Sequence, residues 1–133
     1  MSWRFEVVKK HLEDLALGIA GENEERELLL VRDEATGILN MVVDCSSDVI
    51  VLEQFITVVP ETGRDRLFER LLQLNRELSH GAFAVDADTA RVLFRDTHLF
   101  GRLHENHIEA SLRSLEKALA DNGAELAALS TSS

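Results

Sequence analysis

The residue types able to carry chemistry in this chain fall into groupings that do not assemble a centre. His104-Glu105-Asn106-His107 superficially resembles a zinc motif. The zinc-protease spacing His-Glu-x-x-His sets two imidazoles one helical turn apart. Here the second histidine comes one residue early, the segment straddles an expected helix start, and no third ligand lies nearby. A solvated helix start is therefore the reading taken, and no metal is expected. Asp86 and Asp88 sit at an expected hairpin tip, where Asp serves turn geometry and no cleft tunes it for acid–base work. Cys45 stands beside Asp44, whose charge disfavours a thiolate, so it reads as a small buried apolar residue. Ser46 and Ser47 lack the Gly-x-Ser-x-Gly elbow of a hydrolase. The seven glycines are scattered and form no phosphate-cradling loop. No catalytic residue and no cofactor are expected. An enzyme or ligand binder stays as the alternative if His98, His104 or His107 lies in a deep pocket beside a carboxylate.

The elements that must position these groups follow from hydrophobic spacing. Phe5, Val8, Leu12, Leu15 and Ile19 recur in three- and four-residue steps and predict a helix over residues 3–20. Ser2 is its expected N-cap and Gly21 its stop. Residues 28–31, 38–45 and 49–59 are rich in β-formers and read as an antiparallel meander, with turns at Thr36-Gly37 and Ser46-Ser47-Asp48 and a stop at Pro60. In the third of these strands Ile50, Leu52, Ile56 and Val58 are expected on one face. Val51, Phe55 and Val59 are expected on the other, beside Glu53 and Thr57. Strict alternation would leave that second face polar. Because it is partly apolar, either a helix covers it or a partner does, and a helix is the expectation.

Residues 62–78 return to helical period through Leu67, Phe68, Leu71, Leu72, Asn75 and Leu78, with Thr62 and Asp65 as a capping box and Gly81 as the end. Asn75 is the odd polar residue on that stripe. It is expected to bond a backbone N–H or C=O and fix how the helix meets its neighbour, a ligand site being the alternative. Residues 82–85 and 91–94 predict a hairpin around Asp86-Ala87-Asp88. Asn106 and Glu109 are expected to open a last helix that buries Ile108, Leu112, Leu115 and Leu119, with a tail that frays from Leu129. The order helix, three strands, helix, two strands, helix is α+β, and no linker or repeat divides residues 1–133, so a single domain is expected.

Bulk composition narrows the function. The chain has 133 residues, 45% of them hydrophobic, enough for a core. Its net charge is -10 and its pI about 4.9, which argues against nucleic acid and against an anionic membrane surface. An acidic surface suits solubility and basic or apolar partners. One cysteine allows no internal disulfide, which fits a reducing compartment. No stretch is apolar enough to span a bilayer and the first residues carry no signal-peptide pattern, so a cytoplasmic location is expected.

The stretch Leu71-Leu72-Gln73-Leu74-Asn75-Arg76-Glu77-Leu78 leads into Gly81-Ala82-Phe83-Ala84-Val85-Asp86, then Arg91-Val92-Leu93-Phe94-Arg95 and a closing amphipathic helix. This resembles the Leu-Leu-x-Leu-Asn segment, hairpin and final helix of the type III secretion chaperone-like superfamily. That group includes CesT/Tir-type class I chaperones and the YbjN family. The resemblance implies a compact α+β fold that forms a homodimer, with Phe68, Leu71, Leu72, Asn75, Phe83 and Val85 in the dimer contact. It also implies an unfolded segment of a client or effector protein held by apolar patches and edge-strand pairing. Leu28, Leu30, Met41, Val43 and Phe55 are the candidate client-binding residues, with Phe5, Val8 and Leu12 as further candidates. Ordinary core is the competing reading for each of them. The YbjN branch implies the same fold in a stress or regulatory protein without a secretion client.

Overall fold

Phe5, Val8 and Leu12 lie one helical turn apart and are buried, which makes the first helix, α1 (Trp3–Asp14), an amphipathic element. The computed structural model describes residues 3–131, so the expected N-cap Ser2 lies outside the described residues. The helix stops well before residue 20. Ala16 adopts φ 60°, its N–H bonds Glu13 O, and the Leu17 N–H bonds Leu12 O. These two bonds close a Schellman motif with alanine in the left-handed position that glycine usually fills. The missing glycine is why the spacing alone runs the helix through to Ile19. That residue instead belongs to a strand, β1 (Gly18–Asn23), and Gly21 is a strand residue, not a helix stop.

Five more strands follow: β2 (Leu28–Asp33), β3 (Ile38–Asp44), β4 (Val49–Val58), β5 (Ala82–Asp86) and β6 (Arg91–Leu99). They form one antiparallel sheet in the order β1-β2-β3-β4-β6-β5. The expected architecture holds, with one strand more than expected. The β2–β3 connection is a 3-10 turn, Glu34–Thr36, closed by Gly37 at φ 80°. In β4 the ladder to β6 slips between Phe55 and Thr57. This bulge reverses the alternation beyond Ile56, so Val58 is exposed and Val59 buried, opposite to the strict two-residue period.

The second helix, α2 (Arg64–Asn75), starts later and ends earlier than expected. Gly63 occupies the N-cap at φ 73° and no side chain caps it, so Thr62 and Asp65 form no capping box. Gly81 does not end this helix but opens β5. The last helix, α3 (Glu105–Ser130), is capped by His104, with His107 in the reciprocal position, instead of by Asn106 and Glu109. Leu129 and Ser130 are helical, and Leu129 packs on the core.

All three helices line one face of the sheet. Each of α1 and α2 packs on α3, which rests on β4 and β6. Their buried residues, with Leu29, Val31, Met41, Val43, Ile50, Leu52, Val92 and Phe94 from the strands, make the core. Gly81 shows how tightly it closes: at φ 72°, an added Cβ would lie 2.4 Å from the Phe94 ring.

Two substitutions test these backbone positions. Ala16→Gly relieves a left-handed alanine and should stabilise the fold by about 1 kcal/mol, read as a rise in thermal midpoint. Gly81→Ala meets both a forbidden φ and the Phe94 ring and should cost about 2–4 kcal/mol in denaturant unfolding.

Candidate protein-interaction surface

The second face of the sheet carries no helix among the described residues. The expectation that a helix covers the Val51, Glu53 and Phe55 side of β4 is therefore overturned: α1, α2 and α3 are all spent on the opposite face. Cross-strand register arranges the open face in rows. One row runs Gly21, Leu30, Val42, Glu53, Arg95 and Ala82; beside it Asn23, Leu28, Asp44, Val51 and Thr97 make a second. Val49 stands opposite Leu99, and Phe55 opposite Leu93 and then Ala84. Two contacts of charged groups are made on this face. Arg95 lies 3.6 Å from Glu53, and the Arg91 guanidinium sits 5.2 Å from the centre of the Phe55 ring. Phe55 is 44% exposed and Leu99 59%, far more than an aromatic or leucine keeps when its face is covered.

Of the residues singled out for client binding, Leu28, Leu30 and Phe55 belong to this open face. Met41 and Val43 do not: they are fully buried under the helices, as are Phe5, Val8 and Leu12. Side chains alternate along a strand, so the residue between Met41 and Val43 that faces outward is Val42, which the sequence reading missed. Its signal was parity, since Leu30 faces Val42 across the ladder. The 3-10 turn and the register slip between Val31 and Asp33 hid that pairing. Val58 is exposed because the β4 bulge turns it over, and Leu99 lies in the part of β6 beyond the expected strand end at residue 94.

The two sheet edges differ. At β5, the Asn75 side chain accepts from Phe83 N–H at 2.7 Å and donates to Phe83 O at 3.1 Å. The carboxamide mimics one residue of a neighbouring strand and occupies that edge at Phe83, the second residue of β5. This is the backbone contact expected of Asn75. At the opposite edge, no described strand pairs with the outer side of β1. Among the candidate dimer residues, Leu71 and Phe83 are core and Asn75 is bonded to Phe83. Leu72, at 72% exposure, and Val85 face outward, and Phe68 is half-buried with Arg64 over its ring. α2 and β5 thus present a second apolar patch.

A family model described as CesT_Tir_1 matches residues 1–132. The chain belongs to the CesT_Tir_1 family. No curated protein matches it in sequence. Among solved structures, a chain of the ExsC–ExsE complex superposes with a TM-score of 0.64 at 17% identity, covering 95% of this chain and 97% of its own. YbjN from E. coli reaches 0.66 at 11% identity, with 90% and 91% covered. A chain of the HopA1–SchA chaperone–effector complex reaches 0.61 at 8% identity, with 84% and 86% covered. At such identities the likeness is one of fold.

This CesT_Tir_1 member also brings together groups that are far apart in sequence. Ser111 of α3, fully buried, donates to Asp96 Oδ2 of β6 at 2.5 Å, and its Oγ lies 2.7 Å from His98 Nε2. The His98 ring stacks on that of His107. Serine, histidine and aspartate are the components of a hydrolase triad, but the wiring differs. The carboxylate here accepts the serine hydrogen bond itself, and Ser111 is buried between helix and sheet. The cluster fastens α3 to β6. His104 and His107 are likewise occupied: His104 Nδ1 accepts from Asn106 N–H, and His107 Nδ1 accepts from His104 N–H. Among the described residues no three His, Cys, Asp or Glu side chains gather as a metal site. Cys45 is buried, and that burial, with Asp44 and Glu27 adding to it, pushes its thiol up to about 12. Among the described residues no helix is long and apolar enough to cross a membrane.

Burial holds the His98 imidazole below its ordinary value of 6.5; Asp96 opposes the shift, and His107 and His80 add to it. The unfolded chain therefore binds this proton more readily than the folded one. The stability His98 supplies is complete above about pH 6.5 and is lost as the pH falls below it. In thermal melts from pH 8 to pH 5, His98→Gln should lose less stability than the unmodified protein.

Proposed function

We propose that this protein is a non-catalytic, chaperone-like domain that acts as a homodimer in the cytoplasm and holds an unfolded segment of a client or effector protein. The observation that carries this reading is the open sheet face. Its apolar residues, Leu28, Leu30, Val42, Phe55 and Leu99, lie on one rigid surface next to an unpaired edge strand. An extended segment binds such a surface by main-chain pairing at the edge and side-chain contact on the face. Family membership supports it, and so do structural neighbours found in complexes, one of them a chaperone–effector pair. No nucleotide, cofactor, nucleic acid or membrane enters this reading, so all activity comes from binding energy. A client is stabilised against aggregation because its unfolded form is the one bound.

In the dimer, Phe68 and Leu72 of α2 and Val85 of β5 make the contact with the second copy. Leu71, Asn75 and Phe83 support it from beneath by holding α2 against β5.

The fold match to YbjN, which spans nine-tenths of this chain, favours a second reading: a regulatory protein of the same fold without a secretion client. A tagged pull-down from the native host separates the two. A single dominant partner, held through a disordered segment, fits the chaperone reading. A diffuse set, or no enriched partner, fits the regulatory one.

Two variants check the surface assignments. Phe68→Glu should turn the dimer into a folded monomer by light scattering at tens of micromolar; a dimer that survives this change places the interface elsewhere. Phe55→Glu should leave the dimer intact and lower client capture about tenfold or more, because it buries a charge where an apolar contact stood.

A further inference from the structure

All five histidines of the chain gather against the first turns of α3, although they come from distant parts of the sequence. His104 and His107 belong to the helix start itself. His11 of α1 has its ring centre 6.5 Å from that of His104 and its Nδ1 3.9 Å from Glu105 Oε2. His98 of β6 bonds Ser111 and stacks on His107, with ring centres 5.9 Å apart and planes 18° from parallel. His80, ahead of β5, bonds Ser114 Oγ through its backbone. The second half of α3 is held without imidazoles: Leu115, Ala118 and Leu126 are buried, and Arg70 grips Glu125.

The hydrogen bonds of this cluster require neutral rings. A capping box usually pairs Ser or Thr with Glu or Gln. Here both members are imidazoles, and both accept through Nδ1, from Asn106 N–H at 3.3 Å and from His104 N–H at 3.0 Å. A neutral imidazole has one acceptor nitrogen and a protonated one has none. A proton on either ring therefore turns a donor against a backbone N–H and sets a cation at the positive end of the helix dipole. His98 is constrained as well. Ser111 gives its hydrogen to Asp96, so His98 Nε2 is the donor to Ser111 Oγ. A second proton on this ring lays a cation flat against His107, and the two rings repel when both are charged.

Two carboxylates work the other way. Asp96 Oδ2 lies 3.6 Å from His98 Nε2, and Glu105 attracts a protonated His11. Asp96 is already engaged by Ser111, and the Glu105 pair is long and part-exposed, the kind of ion pair that contributes little. Glu109 is matched by Arg113. The basic groups of α1 are paired, Arg4 with Asp48, Lys9 with Glu22 and Lys10 with Asp14, and β4 presents Ile50 and Leu52 to the helix layer. Burial keeps His98 neutral against the pull of Asp96, and His107 and His80 add to that effect. The balance favours release of this helix end in acid.

We propose that the first turns of α3 form an acid-released latch, docked on α1 and β6 while these histidines are neutral and freed as the rings take up protons, with the second half of the helix left in place. Histidine is the side chain whose charge ordinarily changes between pH 5 and 8, so that is the interval in which the latch works. Opening uncovers Ile108 and Leu112 without unfolding the sheet. The inference stands apart from the client-binding reading.

Hydrogen–deuterium exchange on the full chain tests it, with protection expressed relative to the intrinsic rate at each pH. Between pH 8 and pH 5 the amides of residues 106–113 should lose protection about tenfold or more, while those of residues 115–130 and of β3 keep theirs. His104→Asn with His107→Gln retains a capping pair that does not titrate. It should cut the acid loss to about threefold or less, with protection at pH 8 unchanged. No loss at pH 5, an equal loss over the whole chain, or the same local loss in the double variant overturns the proposal. Nuclear magnetic resonance of the unmodified protein tests it without substitution. The amide resonances of His104 and Asn106 should move together with the ring resonances of His104 and His107 as the pH falls; amides that hold still while the rings titrate overturn it.

Discussion

Everything on this molecule's surface follows from one constraint: a six-stranded sheet has two faces, and three helices cover one. α3 sits centrally over β4 and β6, and α1 and α2 flank it, so the helix layer is filled by these three elements alone. Leaving the other face bare is ordinary for an antiparallel sheet when that face is polar. Here it holds Leu28, Leu30, Val42, Val51, Phe55 and Leu93 in adjoining rows. Covering such side chains is worth roughly 25 cal/mol per Å² of apolar area, and nothing within the described chain collects that energy. A surface of this kind makes sense in a protein whose work is to be covered by another.

The polar residues inside the fold keep the two faces distinct. Gln54, buried on the helix side, donates to Leu39 O at 2.6 Å and to Phe55 O, bridging β3 and β4 where their ladder has parted. Ser114 of α3 donates to His80 O and accepts from His80 N–H, tying the loop before β5 to the last helix. Arg70 of α2 grips Glu125 of α3 with both carboxylate oxygens near 3 Å. With the Asn75 clamp on Phe83, these contacts make α2, β5 and α3 one unit. The outward positions Leu72 and Val85 are then presented on a rigid support, which lowers the ordering cost of any association through them.

Edge chemistry separates the sheet's two ends. At β5 a side-chain amide stands in for a neighbouring strand. At β1 the chain offers small residues, Gly18, Ala20 and Gly21, and a register slip after Ile19. An extended peptide arriving at this fold therefore meets one edge occupied at Phe83 and another with which no described strand pairs.

The sequence by itself determined the α+β class, the order of the major elements other than β1, and part of the core. Each of these is written in short-range spacing: Phe5, Val8 and Leu12 at helical steps, Ile50 and Leu52 at strand steps, Asn75 interrupting an apolar stripe. The family resemblance was also legible, because the segment from Leu71 to Arg95 keeps its motif in linear order. What the tertiary structure alone decided is which face is free. Helix α1 ends at a left-handed alanine that no residue type signals, so the helical spacing runs on to residue 20, into the first half of β1. The bulge at Ile56 and the irregular β2–β3 turn each shift alternation by one residue. Because the strand period is two, such a shift moves a side chain to the opposite face. Val42 and Met41 are neighbours in sequence with equal claims to be core, and only register across β2, β3 and β4 assigns one to the interior and the other to the surface.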